Sequence, residues 1–157
     1  MLTRPGILGL VITFTSAIAV MAGGFALEIG RPSANPQAQA QHAIVIVRSY
    51  ACTHPERTHI TATAEGVVNG KRETIPLKLI PLAGSGTYAV TKQWPAKGRW
   101  ILTLSATNPA FGWQPSAIVS VDGGSADFAN LKHASRAPTA GDIEAALSTT
   151  VFAAKVK

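Results

Sequence analysis

The only cysteine of the chain stands in SYACTHPERTHITA, residues 49–62, followed by histidines at positions 54 and 59. Thiolate and imidazole together suit copper or zinc, and Cys-x-His on an extended segment leaves both side chains on one face. Cys52, His54 and His59 are therefore the candidate metal ligands, although they lack the paired Cys-x2-Cys spacing of strong zinc motifs. Pro55 favours extended backbone at His54, and the charged pair Glu56-Arg57 separates His54 from His59. The competing reading makes Cys52 a small buried hydrophobe at a strand end, beside two surface histidines. A second copper option uses His42, which becomes the second residue if the chain is processed after Ala40, as part of an amino-terminal clamp.

Catalysis finds less to work with. Beyond residue 40 the carboxylates Glu56, Glu65, Glu73, Asp122, Asp127, Asp142 and Glu144 are spread over turns and polar faces. No Gly-x-Ser-x-Gly elbow, metalloprotease helix or phosphate-cradling loop is present. No catalytic residue and no resident cofactor is assigned, copper or zinc at Cys52 and His54 being the exception considered, and the expectation is a protein that is not an enzyme. The aromatic residues offer binding chemistry instead. In the loop NPAFGWQP, residues 108–115, Phe111 and Trp113 can present rings to a sugar or a partner protein, or can fold back over the open end of a β domain.

The elements that must position these residues read as short strands separated by turn signals, the pattern of an antiparallel sandwich. AIVIVRSY at 43–50 is rich in β-branched residues. Asn69-Gly70 then joins THITATAEGVV, 58–68, to KRETIPLKLIPL, 71–82, as a two-residue hairpin. Its register puts Ala64 opposite Ile75, Ala62 opposite Leu77 and Ile60 opposite Leu79. Pro76 marks the 71–80 strand as an edge. A second hairpin is expected from GTYAVTKQW, 86–94, through PAK to GRWILTLSA, 98–106. SAIVSVD at 116–122 and a weaker strand near 126–133 follow. Thr139 and Asp142 read as the capping box of a helix over 140–148, with Ile143 and Leu147 as its apolar stripe.

Arg4 precedes an uncharged run from Gly6 to Leu27, which is what an export signal requires. Ala38-x-Ala40 supplies a small-residue cleavage site, and an uncleaved anchor over residues 7–27 is the alternative, the run being long enough to span a bilayer. Either outcome places the rest of the chain outside the cytoplasm, secreted, periplasmic or membrane-anchored. The expected organisation is residues 1–40 as signal or anchor plus linker, 41–134 as a β-sandwich, and 135–157 as a short helix and tail. The net charge of +6 is dispersed over the 157 residues, which argues for solvated surface and against nucleic acid as a partner. The membrane is a partner only through the N-terminal segment, and one cysteine cannot staple the fold.

GTYAVTKQWPAKGRWILTLSA resembles the C-terminal hairpin of the FixH-like and YtkA-like periplasmic domains. The matching positions are Gly86, Tyr88, Val90, Pro95, Gly98, Trp100, Leu102 and Leu104. The resemblance implies an all-β, immunoglobulin-like sandwich of about seven strands and an accessory role near the membrane, with a protein or other envelope component as partner. The expected function is an exported, non-catalytic binding or accessory module. Metal handling through Cys52 and His54, and carbohydrate binding through Phe111 and Trp113, are the alternatives.

Overall fold

The computed structural model describes residues 24–122 and 124–154. Strand β1 (Phe25–Gly30) leads through a 3-10 turn to a short helix α1 (Pro36–Ala40). Next come β2 (Ala43–Ala51), a 3-10 turn (Pro55–Arg57), β3 (His59–Val68), β4 (Lys71–Pro76), β5 (Leu79–Pro81), β6 (Thr87–Thr91), β7 (Arg99–Thr107) and β8 (Ser116–Asp122). The short strands β9 (Ser125–Ala126) and β10 (Lys132–Ala134) precede helix α2 (Ala140–Ala154). Among the described residues the strands form two antiparallel sheets facing one another, one ordered β1-β2-β6-β5 and the other β10-β8-β7-β3-β4, with β9 on β8.

Local chemistry explains the Asn69-Gly70 hairpin. Both residues hold positive φ, 50° and 77°, as a type I′ turn demands, and Val68 pairs with Lys71 and Ala64 with Ile75 as the turn dictates. The ladder runs to Thr63↔Pro76, Leu77 N–H still donates to the Ala62 carbonyl at 2.8 Å in the expected register, and β4 is an edge strand of its sheet. Here the chain departs from the expected continuous strand: Leu79 pairs with Val90 in the opposite sheet and does not face Ile60. The expected hairpin over 86–106 is likewise replaced by a crossing between sheets, because β6 pairs with β2 and β5 while β7 pairs with β3 and β8. Alternation in each segment aims its large residues inward, but both sheets of a sandwich offer an inward side.

The core fills from both sheets. Phe25, Leu27, Val45, Val47 and Val90 meet Trp100, Leu102, Leu104, Val119 and Val121, all buried. On β3 the inward residues are small: Ala62, Ala64 and Gly66 lie opposite Leu104, Leu102 and Trp100 of β7. Gly66 is required there, since a Cβ at that position would stand 2.4 Å from Cε3 of Trp100. The indole in turn donates its Nε1 hydrogen to the Lys97 carbonyl at 3.0 Å.

Three further boundaries differ from expectation. The sandwich begins at Phe25 and not at residue 41: all six residues of β1 pair with β2. The stretch expected to be linker is helix α1, capped by Asn35, which accepts a hydrogen bond from Ala38 N–H at 3.0 Å. Fully buried Ala38 packs with Ile46, Leu82 and Ala89 on the outer face of its sheet. Helix α2 extends to Ala154 and seats Ala146 and Leu147 on Ile101 and Ile118 of the other sheet's outer face. Its capping box is present, Thr139 Oγ1 accepting from Asp142 N–H and Asp142 Oδ2 accepting from Thr139 N–H. The proposed signal or anchor segment lies outside the described residues except where it overlaps β1, and among the described residues no helix is long and apolar enough to cross a membrane.

The contact at Gly66 makes a direct prediction. Gly66→Ala forces the Trp100 ring or the β3 backbone to move and should lower stability by about 1–3 kcal/mol in urea denaturation. Gly112→Ala, where a Cβ meets nothing within 4 Å, should stay within about 0.5 kcal/mol of the parent.

Candidate binding site

Asn108 organises the end of the sandwich at which β2 finishes and β3 begins. Its side chain is 3 % exposed. The amide donates to the His54 carbonyl at 2.8 Å and to Thr58 Oγ1 at 2.9 Å, and its oxygen accepts from Ala110 N–H at 3.0 Å. One buried amide thus ties the 52–58 turn to the 107–115 loop. The same His54 carbonyl also accepts from Arg57 N–H at 3.0 Å. These two bonds hold His54 in left-handed backbone, φ 50° and ψ 54°, and not in the extended form expected before Pro55. Such a conformation costs on the order of 1–3 kcal/mol and persists only when its surroundings enforce it.

That turn settles where the candidate ligands go. Cys52 is exposed, so it is not the packed hydrophobe of the competing reading. His54 Nδ1 is 3.1 Å from Glu56 Oε1, and Glu56 is held below its usual carboxylate value, first by its own backbone amide and then by His54. His59 is exposed at the head of β3 and faces the 107–114 loop. Among the described residues no three His, Cys, Asp or Glu side chains converge to hold a metal ion, so Cys52, His54 and His59 are not brought together. His42 lies between α1 and β2 with φ 53°, inside the folded domain and preceded by β1.

The aromatic residues, by contrast, do meet. Phe25 and Phe111 stack with centroids 5.1 Å apart, and Phe111 meets Trp113 edge-on, also at 5.1 Å. The three rings form a ladder from the core, where Phe25 is 4 % exposed, to the surface, where Trp113 is 43 % exposed. Trp113 Nε1 donates to the Phe25 carbonyl at 2.9 Å. The indole therefore has its polar atom satisfied inside the protein while much of the residue stays exposed, so the internal bond fixes how the ring lies.

Beside the ladder lies an open cavity of about 540 Å³, lined among others by His59, Asn108, Phe111, Trp113, Gln114 and Arg136. Its far wall is pinned by Gln114 N–H donating to the Ser135 carbonyl at 3.2 Å and Ser116 Oγ donating to the Arg136 carbonyl at 2.6 Å. The Arg136 guanidinium grips Asp142 with two hydrogen bonds, 2.6 and 3.1 Å. Arg136, followed by the Thr139 amide and hydroxyl, holds the Asp142 carboxyl far below its usual range. The start of α2 thereby positions one side of the cavity.

The sequence reading found Phe111, Trp113 and His59, but missed Phe25, Asn108, Gln114 and Arg136. Asn108-Pro109 was visible as a turn signal, whereas nothing local in the sequence announces that Arg136 meets Asp142 at this wall. No protein-family model, no curated protein and no solved structure matches the chain.

Two substitutions test this architecture. Asn108→Ala removes one of the two donors to the His54 carbonyl, the donor to Thr58 Oγ1 and the acceptor for Ala110 N–H, and should cost about 1–3 kcal/mol in denaturant unfolding. Asp142→Asn should show the pH dependence of a carboxylate whose folded value is depressed. Its stabilising contribution is complete above the unfolded-state value of about 3.8 and declines as pH falls from there toward the lowered folded value. Melting temperatures of parent and variant should therefore differ at pH 6 and converge as pH is lowered to 2.

Proposed function

We propose that the chain is an exported, non-catalytic binding or accessory module of the cell envelope, and that Trp113 and Phe111 form its contact surface. One observation carries this reading: Trp113 is exposed although its Nε1 hydrogen is bonded internally to Phe25. An exposed indole held by a hydrogen bond and an edge contact loses little conformational freedom on binding, which is what makes aromatic residues effective anchors. Gln114 and Arg136 line the same cavity and place polar residues around that apolar centre.

The arrangement of strands supports the finer reading of an immunoglobulin-like sandwich. In chain order, β1-β2-β6-β5 facing β8-β7-β3-β4 follows the ABED and GFC pattern with one further strand beside C. The resemblance to the FixH-like group and the accessory role it implies belong to the proposal with it. Carbohydrate is the second ligand class, favoured by Trp113 bordering an open cavity that is also lined by the polar residues His59, Gln114 and Arg136.

The test compares the parent with Trp113→Ala and Trp113→Phe, each shown to melt like the parent. If the reading holds, retention of solubilised envelope proteins should fall about tenfold or more in Trp113→Ala, a loss of roughly 1.4 kcal/mol, with partial recovery in Trp113→Phe. Equal retention by all three proteins refutes it. Quenching of tryptophan emission by soluble oligosaccharides, absent in Trp113→Ala, would select the carbohydrate reading.

A further inference from the structure

We infer that the Trp113 cavity takes an acidic oligosaccharide, a short glycan whose rings carry carboxylates, with a sugar ring at Trp113 and a carboxylate at Arg136. This deepens the binding reading of the same surface and rests on it. The residues lining the cavity include His59 and Arg136 and no aspartate or glutamate. A second cavity of about 240 Å³ shares Arg136 with the first and adds Lys132 and His133. Its one carboxylate, Asp142, is already engaged: Oδ1 accepts from Arg136, and Oδ2 accepts from Arg136 and from the Thr139 amide and hydroxyl. Asp142 thus offsets Arg136, while Lys132, exposed on β10, has no ion-pair partner among the described residues. Lys132 and Arg136 are four residues apart, at most about 13 Å along extended backbone, a span within reach of a short oligosaccharide.

The bonds that Arg136 already makes leave a carboxylate-binding side open. A guanidinium carries five N–H groups in a planar fork. Nη1 donates to the Ala137 carbonyl at 3.1 Å and to Asp142 Oδ2 at 2.6 Å, and Nη2 donates to Asp142 Oδ1 at 3.1 Å. Asp142 therefore takes the end of the fork, one hydrogen from each Nη. Nε–H and the second Nη2 hydrogen remain without a partner among the described residues, on a side chain that is 57 % exposed. Those two N–H groups lie parallel, which is the pattern that receives a carboxylate bidentately, and Asp142 holds their plane. The main chain of this wall offers a peptide much less. The Ser135, Arg136 and Ala137 carbonyls already accept from Gln114 N–H, Ser116 Oγ and Arg136 Nη1, whereas strand addition needs open main-chain groups. A sugar acid relies on an aromatic side chain and polar side chains, and the cavity has these in Trp113, His59, Gln114 and Arg136.

Titration of the full chain, followed by tryptophan emission and by heat of binding, tests the inference with three probes. These are an oligogalacturonate, its methyl ester, in which every carboxylate is neutral, and a glutamate peptide of the same charge. The acidic sugar should bind at least about tenfold more tightly than the ester or the peptide, and about 0.3 M salt should weaken it. Trp113→Ala should abolish the binding. Arg136→Lys keeps the charge but loses the fork, and should weaken the acidic sugar about tenfold while leaving the ester unchanged. Since Arg136 also holds Asp142, Lys132→Gln at an exposed position serves as a second variant, expected to weaken the acidic sugar about threefold at an unchanged melting temperature. Equal binding of sugar acid and ester overturns the inference and leaves a Trp113 surface for neutral sugars. A peptide that binds as tightly as the sugar acid overturns it in favour of an acidic protein partner. Absence of binding by the acidic sugar, or affinity unchanged in both basic-residue variants, also overturns it. The Trp113-dependent retention of envelope proteins uses none of these probes, so a failure here and a failure of the binding proposal can be told apart.

Discussion

The structure turns on Phe25. Its side chain belongs to the core between the two sheets, its ring carries Phe111, and its carbonyl receives the Trp113 indole hydrogen. One residue at the start of the first strand therefore couples closure of the sandwich to the shape of the open end. The domain has no disulfide to perform that task, since its single cysteine is free. Cohesion comes from apolar burial, which is non-directional. Direction is added by a few hydrogen bonds, and the one from Trp113 to Phe25 fixes how the surface ring lies.

Asn108 plays the complementary part for the polar turns. A loop that crosses the end of a sandwich carries backbone groups that neither sheet can pair. Here a buried side-chain amide answers three of them or their neighbours at once, at His54, Thr58 and Ala110. Left-handed backbone at His54 follows from that tie. The same geometry commits the His54 carbonyl inward and its ring nitrogen to Glu56, so a histidine that invites a metal reading in one dimension is occupied with holding a turn in three.

Features governed by neighbouring residues were legible in the sequence. Asn69-Gly70 specifies a turn that few other dipeptides allow, and Thr139 with Asp142 marks a helix start through bonds made within four residues. What escaped is what depends on distance. Alternation in 86–94 and 98–106 shows which side chains face inward, but the choice of sheet is made by β3, which pairs with β7 from His59↔Thr107 to Val67↔Arg99. Residues 25–30 were obscured for another reason. Phe25, Leu27 and Ile29 alternate with Ala26, Glu28 and Gly30 as a half-buried strand should, yet they adjoin an apolar run, and hydrophobicity alone does not separate an export signal from the strand that follows it. Of the candidate site, the rings were visible and their mutual contacts were not. Asn108 and Arg136 look like ordinary loop polar residues until their partners are known.

Coverage of the outer faces narrows where a ligand can act. Each sheet shelters part of its outer face beneath a helix, α1 over Ile46 and Ala89 and α2 over Ile101 and Ile118. Among the described residues the exposed large hydrophobic side chains are Tyr50 and Trp113. The Arg48 guanidinium lies over the Tyr50 ring at 5.2 Å, an arrangement that already satisfies that ring's face with a cation. Trp113 packs against Phe111 and has its nitrogen bonded to the backbone, and it lines the open cavity. Chemistry that seeks an aromatic face on this molecule is thus directed to the end where β1 begins, the same end that the first strand's burial holds in shape.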